Sequence, residues 1–327
     1  MSPQRRPGRA RTARPRAGSQ TTRVWLGLAV VYVVWGSTYL GIDLAVRTMP
    51  PFLMAAVRFL IAGSLLYAWA VRRGDRKDRP TPRQWLSAFL IAAPMLAVGN
   101  AAVGWAEQTI DTGTASLIIA SVPLWMALLD RGLYGQRLAR GAVAGLLVGF
   151  AGVGLLVAPG GGGTSKAAIV LVFSSAAWAI GSLYSRRAPQ PSRPLVAASM
   201  QMLAGGVLLV AVSGVAGEFS RVQPGQISLE SWLGLAYLIV AGSLVAFTTY
   251  MWLLRTAPTA LVGTYAYVNP FVAVLLGTLI LGEPLGWRTL VGGGIVIAAV
   301  AMIVRAPRRL PEPAIEARPA AVPARGG

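Results

Sequence analysis

Long apolar runs, separated by short charged or Gly/Pro-rich stretches, are the dominant pattern of this chain. A helix needs about 20 mostly apolar residues to cross a bilayer. Ten runs approach or exceed that length: 24–46, 50–71, 84–106, 112–131, 140–158, 167–185, 194–215, 232–254, 258–280 and 286–304. The breaks carry helix-ending or charged residues: Pro50-Pro51, Arg72 to Arg83, Asp111, Arg137 to Arg140, Gly160 to Gly163, Arg186 to Pro194, Glu218 to Glu230, Pro258 and Glu283-Pro284. The pattern predicts an all-α integral membrane protein with ten transmembrane helices.

The second pattern is duplication. An offset of 147 carries Trp105 onto Trp252, Pro123 onto Pro270, Gly135 onto Gly282, Leu138 onto Leu285 and Gly145 onto Gly292. An offset of 143 carries Pro51 onto Pro194, Ala55 onto Ala198, Leu60 onto Leu203, Gly63 onto Gly206 and Leu65 onto Leu208, and Trp35-Gly36-Ser37-Thr38-Tyr39 resembles the stretch from Trp178 to Tyr184. Each unit then holds five helices. Because five is odd, the second copy is expected upside down relative to the first, the plan by which two equivalent halves of a transporter rock to open either face. The expected organisation is a basic disordered cytoplasmic tail (1–23), a first five-helix repeat (24–158), a Gly-rich linker (159–166), a second five-helix repeat (167–304) and a Pro/Arg-rich cytoplasmic tail (305–327). The first tail is not expected to be a cleaved signal peptide, because the apolar run behind it is long enough to span and no small-residue cleavage pattern closes it.

Composition agrees with a bilayer. The 327 residues are 55% hydrophobic and 13% charged, with mean hydropathy +0.59, whereas soluble domains carry about 25% charged residues. The formal net charge of +19 would suit nucleic acid if the basic residues shared one face. Instead they lie at the two ends and in the breaks, so no nucleic-acid partner is expected. With ten spans, twenty-five of the 30 Lys and Arg fall on the side of the termini, four (Arg47, Lys166, Arg221 and Arg288) on the other, and Arg58 inside a helix. By the positive-inside rule both tails are cytoplasmic, in a multi-pass protein of the cell membrane. The chain has no Cys and no His, which excludes disulfides, thiol catalysis, zinc sites of the usual kind and histidine acid–base chemistry. No cofactor, metal or enzymatic activity is expected. Gly160 to Gly163 with Thr164-Ser165-Lys166 lacks the Gly-Lys-Ser/Thr order of a phosphate loop and follows no strand.

Trp35-Gly36-Ser37-Thr38-Tyr39-Leu40, Pro50-Pro51-Phe52-Leu53, Arg58-Phe59-Leu60, Trp105-Ala106-Glu107-Gln108, Val122-Pro123-Leu124-Trp125 and Gly282-Glu283-Pro284-Leu285 occur in order along residues 24 to 304. On these motifs the chain resembles the drug/metabolite transporter superfamily, in particular its ten-helix EamA-type permeases. The resemblance implies a ten-helix bundle with a central cavity between inverted repeats, exporting small organic solutes without ATP. One position departs from the family pattern: Gln136 stands where an acidic residue is expected, while the second repeat keeps Glu283.

Helix positions three and four apart share a face. Tyr32, Gly36, Tyr39 and Asp43 form such a stripe, flanked by Trp35, Ser37 and Thr38. So do Asn100, Gly104 and Glu107; Thr114, Ser121 and Trp125; Ser174, Trp178, Gly181 and Ser185; and Tyr265 with Asn269. Lipid cannot satisfy polar groups, so these faces are expected to look into a cavity or onto neighbouring helices. The candidate substrate-binding residues are Tyr32, Trp35, Ser37, Tyr39, Asn100, Ser121, Trp125, Trp178, Tyr265 and Asn269, with interhelical hydrogen bonding as the competing reading. Asp43 and Glu107 are candidates for proton coupling, against the plainer reading of hydrated surface carboxylates. Pro94, Pro123 and Pro270 lie near helix midpoints and are candidate hinges. Arg58, about 12 Å from the outer end of its helix at 1.5 Å per residue, either attracts an anionic solute, snorkels to the interface or pairs with a helix end. Glu283 is read as a loop residue. Gly141, Gly145 and Gly149 offer a small face for packing within the chain or across a homodimer.

The function expected is a secondary transporter exporting small metabolites, amino-acid-like or drug-like solutes by alternating access. Uptake by the same fold, a non-transporting receptor, and an intramembrane enzyme on lipid-linked substrates are the alternatives. The last would need clustered acids or histidines at one membrane level.

Overall fold

The computed structural model describes residues 17–73, 79–135, 140–158 and 165–305, and over these the chain is helical with no β-strand element. Its helices are α1 (Ala17–Val46), α2 (Pro51–Arg72), α3 (Pro82–Ala106), α4 (112–134), α5 (Arg140–Val157), α6 (Ser165–Ser185), α7 (Pro194–Val215), α8 (Leu229–Thr256), α9 (259–281) and α10 (Trp287–Arg305). Seven of them, α1 to α4 and α6 to α8, are long and apolar enough to cross a bilayer, and shorter apolar helices lie within α5, α9 and α10. This is a multi-pass membrane protein.

Several ends differ from the apolar-run reading. The first helix begins at Ala17, so part of the stretch expected as a tail is helical; Ala, Gln and Thr in that stretch do not break a helix. The Gly160 to Gly163 run and most of both tails lie outside the described residues, as does Gln136. Lys166, assigned to the linker, sits in the first turn of α6.

Helix starts follow local chemistry. Proline occupies the first turn of α2, α3 and α7, where its missing N–H costs nothing. Thr81 and Gln84 form a reciprocal capping box on α3. Two starts are capped from far away in sequence. Glu218 accepts from the Phe52 and Leu53 amides at 3.2 and 2.7 Å. Glu283 accepts from the Thr112 and Gly113 amides at 2.7 and 3.1 Å, and from the Thr112 hydroxyl at 3.0 Å. The residue read as a plain loop position therefore anchors the N-terminus of α4.

Packing repeats itself between the halves. α2 packs along α7 and α5 along α10; α1 contacts α8 and α9, while α6 contacts α3 and α4. Each pair involves positions that the duplication equates. A Cβ at Gly63 would lie 3.0 Å from Leu203 Cγ, and one at Gly206 would lie 2.7 Å from Leu60 Cγ. Leu60 and Leu203 are equivalent, as are Gly63 and Gly206, so the contact is reciprocal about a two-fold relation. Rising numbers on α2 meet falling numbers on α7, so the two equivalent helices run antiparallel. Gly149, Gly152 and Gly292 are buried against Leu124, Ile295 and Leu156. Gly149 is thus spent within the chain, whereas Gly141, Gly154 and Gly294 have open space beside them.

Candidate functional site

A cavity of about 70 Å³ lies between the halves. Helix α1 gives it Trp35, Thr38, Tyr39 and Ile42, spaced to share one face. Gly99, Asn100 and Val103 come from α3, Ser174 and Trp178 from α6, and Tyr265 and Asn269 from α9. Arg58 of α2 and Ile119 of α4 complete the wall.

The wall is shaped by wide helical turns. Ala93–Asn100 in α3 and Leu238–Phe247 in α8 are π-helical and stand at largely overlapping positions of the two repeats. Such turns loosen the i→i−4 ladder and recur at functional sites. Pro94, which has no N–H to donate, opens the first of them. Exposed carbonyls find side-chain donors: the Ser174 hydroxyl donates to Gly99 O at 2.7 Å, and the Trp35 indole donates to Gly242 O at 3.4 Å.

At the base of the cavity four aromatic rings meet. Trp35 contacts Trp178 edge-on at 5.5 Å, Tyr265 edge-on at 5.5 Å and Tyr250 at 4.6 Å. The Tyr250 hydroxyl accepts from Trp178 Nε1 at 3.3 Å and shares a 2.9 Å hydrogen bond with Ser182. Tyr250 is fully buried and was not recoverable from the duplication, which pairs it with Val103.

Of the ten candidates for solute contact, six line this cavity: Trp35, Tyr39, Asn100, Trp178, Tyr265 and Asn269. Asn269 also links helices, since its amide nitrogen, assigned from its surroundings, donates to the carbonyls of Tyr32 and Tyr265 at 3.0 and 3.1 Å. The other four are elsewhere. The Tyr32 hydroxyl hydrogen-bonds Thr264, and Ser37 bonds the Tyr237 hydroxyl at 2.6 Å on the far side of α1. Ser121 is fully buried. Trp125 packs edge-on against Phe150 of α5 at 4.9 Å, so its stripe faces neighbouring helices rather than the cavity.

The three prolines differ in setting. Pro94 opens a π turn, and Pro270 is inside the helix Tyr265–Leu276. Pro123 is not mid-helix: α4 breaks at Ala120-Ser121 and restarts at Val122, so Pro123 falls in a first turn. Asp43 is half-buried and bound to Arg47 at 2.8 Å, and Arg47 reaches Glu230 at 3.6 Å. Glu107, just past the end of α3, is 6% exposed, and neither carboxylate oxygen has a partner among the described residues. Burial pushes its carboxyl well above the usual range, and the nearby Asp43 and Glu283 charges push it further. The plain reading of a hydrated carboxylate therefore fails for Glu107.

Among the described residues no cluster of His, Cys, Asp and Glu could hold a metal ion. Apolar helices long enough to span, arranged around a cavity with an aromatic and polar wall, are the architecture of a membrane transporter. The chain belongs to the EamA-like transporter family, whose profile matches residues 23–158 and again 165–305. It is 40% identical over 278 residues to the "Uncharacterized inner membrane transporter YedA" of Escherichia coli (strain K12), covering 84% of this chain and 89% of that protein. It is 28% identical to the "Uncharacterized transporter YvbV" of Bacillus subtilis (strain 168), covering 86% and 92%. It is also 28% identical to the chloroplastic "WAT1-related protein At3g02690" of Arabidopsis thaliana, covering 88% and 70%. A solved structure, titled only "Crystal structure of protein", matches at TM-score 0.62 and 22% identity over 86% of this chain and 96% of that one, a likeness of fold.

Proposed function

We propose that this protein is a secondary transporter exporting small metabolites, amino-acid-like or drug-like solutes across the cytoplasmic membrane by alternating access. The observation that carries the reading is the cavity itself, walled by residues of both halves, among them the equivalent and contacting pair Trp35 and Trp178. The antiparallel packing of α2 on α7 supports ten spans in two inverted five-helix repeats. The distribution of Lys and Arg supports cytoplasmic termini.

In this reading Trp35, Tyr39, Asn100, Trp178, Tyr265 and Asn269 contact solute, and Tyr250 seals the cavity from below. Tyr32, Ser37, Ser121 and Trp125 hold the helices behind the wall. Pro94 and Pro270 weaken the backbone ladders of α3 and α9, and α4 flexes at the break before Pro123. Glu107, with Asp43 nearby, takes the coupling proton: it binds one from the outer side and holds it while buried, so that a proton moves inward as solute moves outward.

The test is counterflow in proteoliposomes. Purified protein is loaded with a panel of small zwitterionic, neutral and acidic solutes, with and without a proton gradient. Movement of at least one class, lost in Asn269→Ala, supports the reading. Binding without movement of any solute points to a receptor and overturns it.

A further inference from the structure

Arg58 is the one charged side chain among the described residues of the cavity wall, with its guanidinium 4.9 Å from the centre of the Phe59 ring. It is 2% exposed, so it does not snorkel. Its Nε donates to the Ser243 hydroxyl at 2.8 Å and its Nη1 reaches Asn100 Oδ1 at 3.4 Å. Both partners are neutral. The ion pairs among the described residues join Arg47 to Asp43 and Glu230 and leave Arg58 without a carboxylate. A guanidinium does not lose its proton in a protein, and an uncompensated charge in a water-poor interior is costly unless something pairs with it.

The matching position of the second repeat carries a neutral side chain. The offset of 143 carries Arg58 onto Gln201, which is equally buried on α7 and neutral, and which donates to Gln190 Oε1 at 3.0 Å. A neutral amide serves the second repeat where the first carries a charge. The protein also makes room for that charge. A Cβ at Gly242, in the π turn of α8, would come within 2.8 Å of Arg58 Nη2.

We propose that Arg58 is the recognition site for a single carboxylate on the transported solute, so that the substrates are small organic monocarboxylates, zwitterions included, with an apolar or aromatic body. This inference rests on the transport reading of the cavity and narrows it. Two N–H directions of a planar fork match one carboxylate, and the Trp35 and Trp178 rings offer flat apolar surface to the rest of the solute. With one cation in the wall, a doubly charged phosphate ester would enter half compensated, which disfavours that class.

The test is binding to the full chain in lipid nanodiscs, with benzoate and benzamide as probes of equal shape. Benzoate is expected to bind at least about tenfold tighter than benzamide, the worth of charge-assisted hydrogen bonds. Arg58→Gln should erase that preference, weakening benzoate binding far more than benzamide binding. Arg58→Lys, which keeps the charge and loses the fork, should retain part of it and stands in if Arg58→Gln fails to fold. Equal binding of the two probes by the unaltered protein overturns the proposal, as does a preference untouched by either substitution. Chloride or inorganic phosphate competing as well as benzoate would mean a general anion site and would also overturn it. Benzoate binding with no solute flux would sink the transport reading alone, whereas flux with no acid–amide difference would sink this one alone.

Discussion

The indole of Trp35 on α1 meets the indole of Trp178 on α6 edge to face, with ring centroids 5.5 Å apart and planes at 83°. The two residues hold the same position in the two sequence repeats. Both rings line the cavity. A solute touching one is within reach of the other, and a movement of one half against the other must change this pair.

Truncating either ring should therefore harm transport alike. Trp35→Ala and Trp178→Ala are each expected to slow solute flux roughly tenfold or more, while phenylalanine at either position retains most of it, because an edge-to-face contact survives. Initial rates in proteoliposomes check this, and a large effect at only one of the two positions would deny the equivalence.

The contact between α2 and α7 predicts a matched pair of stability losses. Gly206→Ala sets a Cβ 2.7 Å from Leu60 Cγ and 3.1 Å from the Leu60 backbone nitrogen, and Gly63→Ala sets one 3.0 Å from Leu203 Cγ and from its backbone nitrogen. Backbone cannot give way as a side chain can, so each should cost about 1–3 kcal/mol through overpacking. Unfolding in detergent micelles measures both.

Glu283 anchors the start of α4 with three hydrogen bonds from Thr112 and Gly113. Removing them by Glu283→Ala should destabilise the protein by about 1–2 kcal/mol, the usual worth of a lost helix cap. Gly277→Ala should act in the same direction, since its Cβ would collide with Glu283 Oε2. A destabilising Glu283→Ala with a neutral Gly277→Ala would mean that the carboxylate can move freely.

The raised carboxyl of Glu107 gives stability a pH dependence of definite sign. Between the ordinary glutamate range and its own higher value, the folded chain holds a proton that the unfolded chain releases. Stability then falls as pH rises across that window, at about 1.4 kcal/mol per pH unit for one proton. Asp111, also pushed up by burial and by Glu283 and Asp43, adds a slope of the same sign. Glu107→Gln, neutral throughout, should leave only the shallower part. Thermal unfolding between acid and mildly alkaline pH tests this, and an unchanged slope in the variant would mean that Glu107 is ionised in the folded protein.

The helices and the halves of this molecule were legible in its sequence because bilayer crossing imposes a length and duplication leaves numbered matches. The six cavity residues were legible for the same reason: polar or aromatic groups at helical spacing inside apolar runs mark an inner face. Periodicity does not say which of two inner faces meets a cavity, so the buried Ser121 and Trp125, which packs against Phe150, looked the same as Asn100. Tyr250 has a valine as its counterpart and gave no signal. Glu218 and Glu283 cap helices more than 160 residues away, and no local pattern foretells so distant a partner. Arg58 did stand out as the one cation inside a helix, but only its neutral neighbours and the neutral Gln201 in the matching place separate a solute site from a structural one.

The central claim, that this cavity is reached alternately from the two sides, is tested most directly by labelling. The chain has no cysteine, so Ile119→Cys in the cavity wall creates a single thiol. Its reaction with a membrane-impermeant maleimide is followed in right-side-out and inside-out vesicles. Alternating access predicts labelling from either side, with a transported solute slowing both. Labelling from one side only, under every condition that supports flux, would contradict it.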